Sequence, residues 1–229
     1  YALQTIRKSD AYKEHEPLFA ELEAAVDALG GVIAEHDLLK ELGADRATNN
    51  YLYFTFVLGT PFTKNKENPL FHHRWFVRKD VASAVEQALI DVHDSLTEDS
   101  LLGESEIVER LLEKVGSIDE RYKQEGFVKR WLAISKVIGQ NPLGEWGLIS
   151  SPNVRAKGIR DFAYLAVKRH GSPMHFREVA EAIEQLFNRT AHVATCHNEL
   201  IKDDRFVLVG RGLYALSEWG YSAGVVKDI

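Results

Sequence analysis

The sequence predicts a mainly α fold with small β wings, built as tandem winged helix-turn-helix modules. Apolar residues recur three and four positions apart through most of the chain, the spacing of one helix face. Short β-rich stretches with glycine turns follow groups of such segments. The order helix, short turn, helix, helix, β-like stretch recurs along the chain, and an internal repeat is the first thing to test at this length.

The first copy reads as a helix over 18–29, a turn at Gly30-Gly31-Val32-Ile33, and helices over 35–42 and 48–58. A polar turn over 64–69 and an extended stretch over 70–77 complete it. Its third helix carries Tyr51, Leu52, Tyr53, Phe54, Phe56, Val57 and Leu58. Apolar residues almost all round suit a buried or partner-covered helix. The middle copy uses 81–96, 104–112 and 126–138, with an acidic loop over 115–125 and a wing-like end over 141–148. In the last copy, Ile159, Phe162, Ala163, Ala166 and Val167 form one stripe that ends at Gly171-Ser172-Pro173. Phe176, Val179, Ala180, Ile183 and Leu186 form the next. Thr190 reads as the N-cap of a third helix reaching Ile201. Residues 205–216, turning at Gly210-Arg211-Gly212, read as a two-stranded wing. The expected modules are 1–79, 80–150 and 151–229, the alternative being one continuous helical domain followed by a separate last module.

With 45% hydrophobic residues among 229, the chain can bury real cores. No apolar run is long enough to cross a bilayer, and no charged-then-apolar leader opens the chain. One cysteine, Cys196, excludes an internal disulfide framework. A soluble, cytoplasmic protein is expected. The chain opens on Tyr1 and its single methionine is Met174, which reads as a processed protein or an excised piece of a longer one. The net charge of −6 argues against coating nucleic acid by bulk electrostatics. Its distribution is uneven: residues 80–150 carry 7 bases and 14 acids, whereas residues 151–229 carry 11 and 9 and are the net positive part.

The blocks Lys157-Gly158-Ile159-Arg160-Asp161-Phe162-Ala163-Tyr164-Leu165, Gly171-Ser172-Pro173-Met174-His175-Phe176-Arg177-Glu178-Val179 and Asn198-Glu199-Leu200-Ile201-Lys202-Asp203-Asp204-Arg205-Phe206-Val207 resemble the HARE-HTH domain. That winged-helix family includes the N-terminal domain of the bacterial RNA polymerase delta subunit, and it also occurs fused to restriction enzymes and chromatin proteins. More broadly, Gly30-Gly31-Val32-Ile33, Trp75, Ile134-Ser135-Lys136 and residues 141–148 ahead of such a module look like the C-terminal part of sigma-factor-like bacterial proteins. Those proteins carry an upstream sigma-type helix-turn-helix that this sequence lacks, so promoter recognition is not implied. A transcription-associated role is.

A helix-turn-helix reads the major groove with the outward face of its last helix. At 100° per residue, Val193, Cys196, His197 and Leu200 fall on the core side, and Ala191, Thr195, Asn198 and Lys202 fall outward. Asn198 suits adenine, and Thr195 suits a thymine methyl group or a phosphate. Lys202, Arg189 before the helix, and Arg205 and Arg211 on the wing suit phosphates. Glu199, Asp203 and Asp204 oppose them, which leaves ordinary solvated polar residues or a protein-docking face as the competing account. In the middle copy, Lys129 and Lys136 share a helix face and form a second candidate nucleic-acid or partner surface, in a segment where acids outnumber bases.

His192, Cys196 and His197 fall short of the four ligands of a zinc site. No Walker loop, dinucleotide fingerprint or serine elbow is present. The expectation is a non-enzymatic protein without cofactor, metal, membrane or small-molecule substrate. Its expected partners are double-stranded DNA and, as the resemblance implies, RNA polymerase, which would associate it with the nucleoid. The alternatives are a scaffold that binds polymerase without reading DNA and an accessory module of a restriction-modification system.

Overall fold

Helices form over nearly every stretch in which apolar residues recur three and four apart. The computed structural model describes residues 2–43 and 45–224. Short helices α1 (Ala2–Ile6) and α2 (Asp10–Glu14) precede α3 (Glu16–Ala28), β1 (Val32–Ala34), α4 (Glu35–Leu42), α5 (Arg46–Leu58), β2 (Thr63–Asn65) and β3 (Arg74–Phe76). Next come α6 (Lys79–Ser95), α7 (Glu104–Val115), α8 (Glu125–Leu132), β4 (Ile138–Gln140) and β5 (Trp146–Leu148). The last group is α9 (Ile159–His170), β6 (Met174–His175), α10 (Phe176–Phe187), α11 (Val193–Lys202), β7 (Phe206–Gly210) and β8 (Leu213–Leu216). The fold is mainly helical, with small antiparallel sheets. The chain forms two compact units, one of Tyr1–Thr97 with Leu102–Gly139 and the other of Glu98–Leu101 with Gln140–Ile229. These do not coincide one for one with segments 1–79, 80–150 and 151–229.

In the first unit, Phe19, Leu22 and Val26 face inward from α3 and meet Ile33, Leu38, Leu52, Phe56, Phe62 and Trp75 in one core. Gly30 and Gly31, at φ +108° and +75°, turn the chain from α3 into β1. β1 and β2 flank β3 antiparallel, giving the order β1-β3-β2. The Trp75 indole in β3 donates to Glu35 at 2.8 Å, tying the sheet to α4. α6 packs on α7, α7 on α8, and α8 against β1. There the Trp131 indole donates to the Gly30 carbonyl at 3.0 Å. Nearby, the Tyr122 hydroxyl donates to Asp27. Burial, then Asp27, pushes the phenol up to about 12.

Residues 159–216 of the second unit repeat the element order of residues 16–76. α9 buries Phe162, Ala163, Leu165, Ala166 and Val167 against Val179 and Ile183 of α10 and Cys196 and Leu200 of α11. Gly171, at φ +77°, ends α9. His175 caps α10 reciprocally: its ring accepts from the Arg177 amide, and its own amide donates to Glu178 at 3.0 Å. Asn188, left-handed at φ 50°, ends α10. β6 and β7 flank β8 antiparallel, in the order β6-β8-β7. Among the described residues, helix, strand, helix, helix, strand, strand with the last strand central thus occurs at 16–76 and again at 159–216.

Three local expectations change. The turn read at Gly30–Ile33 opens strand β1, and the polar turn read over 64–69 begins inside strand β2. The helix expected over 126–138 stops at Leu132. The Ser135 hydroxyl accepts the amides of Val137 and Ile138. The Lys136 amide donates to Leu70 O and the His72 amide to Ile134 O, so the backbone is used in lateral pairing instead of a helical ladder.

Candidate nucleic-acid interface

The site lies on α11 and the β7–β8 hairpin of the second unit. α11 is amphipathic: Cys196 and Leu200 are buried, while Thr195, Asn198 and Lys202 are exposed, as their spacing predicts. Neither the Thr195 nor the Asn198 side chain has a hydrogen-bond partner among the described residues, so both are free for a ligand. Lys202 is 72% exposed and lies 4.0 Å from Glu199, a contact too solvated to hold it. Arg211, at the hairpin tip between β7 and β8, is exposed. Arg189, in the turn between α10 and α11, is also exposed and lies with its guanidinium 4.9 Å from the Phe162 ring centroid.

The start of α11 differs from expectation. Thr190 does not cap it; the helix begins at Val193 after His192. The residues before it are non-helical, so the inward position passes to Ala191, which is 4% exposed, with its amide donating to Glu184 at 3.3 Å. Val193, expected in the core, is 41% exposed because the first turn overhangs that core. Ile201 is exposed beside Asn198 and Lys202. This apolar contribution to the outer face was missed by a reading based on polar groups alone. His197 sits at the core edge, its ring stacked on Phe176 at 4.2 Å.

Arg205 also departs from expectation. Expected as a free cation on a wing, it is held at the start of the β7–β8 hairpin by two carboxylates. Its Nε donates to both Asp203 oxygens at 3.0 and 3.1 Å, and its Nη2 donates to Asp203 at 2.6 Å and to Asp161 at 3.0 Å. Nη1 is buried. Burial disfavours the charged form of Asp203, but bonding to Arg205 outweighs it and holds the carboxyl below its ordinary range.

The second candidate surface does not assemble as expected. Lys129 is on α8, but Lys136 lies beyond its end, so they share no helix face. Lys129 pairs with Glu104 at 2.5 Å and Glu125 at 3.1 Å, and Lys136 pairs with Glu67 at 3.2 Å. Both charges are locally balanced, which weakens their attraction for phosphate.

At the matching position of the first unit, α5 buries Leu52, Thr55 and Phe56 and turns Tyr51, Tyr53 and Phe54 outward, Phe54 being 58% exposed. Of the two expectations, a buried or a partner-covered helix, full burial is not met, since Tyr51, Tyr53 and Phe54 are exposed. Tyr51, Phe54 and Leu58 line a groove of about 180 Å³ with Ile6, Tyr12 and Phe19.

Cys196 is sealed under α11, and burial pushes its thiol up to about 11. The folded state then holds this proton more tightly than the unfolded chain, so stability falls as pH rises from about 9 to about 11. Native protein at pH 8 is expected to react slowly with an aromatic disulfide reagent and fast in denaturant; equal rates would show the thiol to be open.

No helix among the described residues is long and apolar enough to cross a membrane. Comparison with protein-family models, curated proteins and solved structures finds no match to this chain.

Proposed function

We propose that the chain is a non-enzymatic, transcription-associated protein that binds duplex DNA through a winged helix-turn-helix at residues 159–216. The supporting observation is the outer face of α11, where Thr195, Asn198 and Lys202 stand exposed over a core sealed by Cys196 and Leu200. Arg211 stands at the hairpin tip, where a wing would meet the backbone. In this reading Asn198 and Thr195 contact base edges, Lys202, Arg211 and Arg189 contact phosphates, and Ile201 offers an apolar contact to thymine methyl groups. The order of elements and the sheet order β6-β8-β7 support a winged helix, and the residue blocks between 157 and 207 support the HARE type. The division into modules 1–79, 80–150 and 151–229, the nucleoid location and the RNA polymerase partner belong to the same proposal.

The test is fluorescence anisotropy on a random-sequence duplex at several salt concentrations. Changing Lys202 and Arg211 together to alanine should lower affinity and flatten the slope of log K against log salt by about two units. Unchanged affinity and slope would remove DNA binding by this face.

A scaffold that holds RNA polymerase without reading DNA is the second reading, favoured by the open aromatic face of α5. Capture of purified polymerase by a chain that leaves duplex DNA unshifted at moderate salt would select it. An accessory module of a restriction-modification system is the remaining alternative that the resemblance supports.

A further inference from the structure

We propose that Arg205 is a positioning residue that sets the pitch of the reading helix, and that it makes no phosphate contact. This rests on the DNA-binding reading above. Asp203 is the C-cap of α11, and Asp161 lies in the first turn of α9, where its other oxygen accepts the amides of Lys157 and Gly158. Arg205 stands one residue before β7, and its carbonyl accepts the Ser217 amide just after β8. One guanidinium therefore joins the end of the reading helix, the start of the first helix and the root of the hairpin. Its Cζ lies 5.0 Å from the ring centroid of Tyr164, which is itself held by Lys168 and Glu218. The direction of α11 relative to α9 decides how Thr195, Asn198 and Lys202 meet a groove, and this planar fork fixes that direction at its C-terminal end.

Charge and access exclude the phosphate role. Two carboxylates surround one guanidinium, leaving a net negative spot. Nε and Nη2 are committed to those carboxylates, Nη1 is buried, and the side chain is 27% exposed.

The two roles predict opposite signs for Asp161→Asn. For a phosphate contact, removing the acid releases one of the bonds that hold Arg205, takes away a negative charge and strengthens DNA binding. For a clamp, it loosens α11 and weakens binding although a negative charge has been removed. In the full chain, anisotropy on duplex DNA across a salt series should show Asp161→Asn and Arg205→Gln each losing about tenfold in affinity, with the salt slope unchanged. A gain in affinity for Asp161→Asn, or a slope flattened by about one unit for Arg205→Gln, would overturn the proposal. Affinities are read below the melting temperature of each variant, so a residue that merely supports the fold would leave them unchanged.

Amide hydrogen exchange supplies a measurement that needs no DNA. Asp161→Asn should speed exchange in Val193–Lys202 more than in Phe176–Phe187, and equal protection of both helices would overturn the clamp. If the unmodified chain binds no DNA, the reading of the site fails by itself, and the clamp is decided by exchange.

Discussion

Replacing Trp131 with alanine is expected to destabilise the first unit by about 3–5 kcal/mol. Trp131 is fully buried and is among the largest such side chains described. Its indole fills the space against Gly30, where a Cβ would stand only 3.0 Å from Nε1. The same nitrogen satisfies the Gly30 carbonyl, so truncation opens a cavity and strands a buried acceptor together. Trp131→Phe separates the two effects. It retains most of the volume, loses the N–H donor, and should cost about 1–3 kcal/mol. Urea unfolding followed by far-ultraviolet circular dichroism measures both. A loss under about 1 kcal/mol for the alanine variant would mean that α8 and the Gly30 turn hold without this contact.

Helices were legible because each repeats its apolar signal over several turns. Phe19, Leu22 and Val26, or Val179, Ala180 and Ile183, mark a face by spacing alone. Strands of three residues carry no such redundancy. Thr63-Lys64-Asn65 has the composition of a loop and becomes β2 because Trp75 and its neighbours offer a partner. Lys64 then covers the aromatic surface, pairing with Glu35 and lying 4.9 Å from the Tyr53 ring centroid and 5.4 Å from that of Trp75. The early end of α8 was hidden for a similar reason. Nothing within 126–138 announces that Leu70 and His72 will compete for its backbone.

The candidate site was legible where it depends on helical phase and obscure where it depends on distant partners. Asn198 and Lys202 face outward because Leu200 faces inward, a relation contained within one turn. Arg205 differs, since a guanidinium free for phosphate and one held by Asp161, 44 residues away, look alike in a charge count. Lys129 and Lys136 teach the same lesson through Glu104 and Glu67. Phase itself failed at Val193, because where a helix begins decides whether its first residues lie over the core or past its edge.

The β7–β8 hairpin makes the second large prediction. Gly212→Ala should destabilise the second unit by about 2–4 kcal/mol. Gly212 is left-handed at φ +73°, which an L side chain resists. A Cβ there would also meet His175 Nε2 at 2.7 Å and Phe176 Cε1 at 2.9 Å. Neither ring can yield cheaply. His175 caps α10, and Phe176 is stacked on His197 of α11 while its amide donates to the Gly212 carbonyl at 3.0 Å. Gly210 is the internal control: its φ is not left-handed, and an added Cβ would stand at an ordinary 3.4 Å from Leu213. Thermal melts should show Gly212→Ala well below Gly210→Ala, and equal melting temperatures would mean that the hairpin tip adapts freely. Because the strained turn carries Arg211, Gly212→Ala should also weaken duplex binding in the protein that remains folded, coupling the shape of the wing to its proposed grip on the backbone.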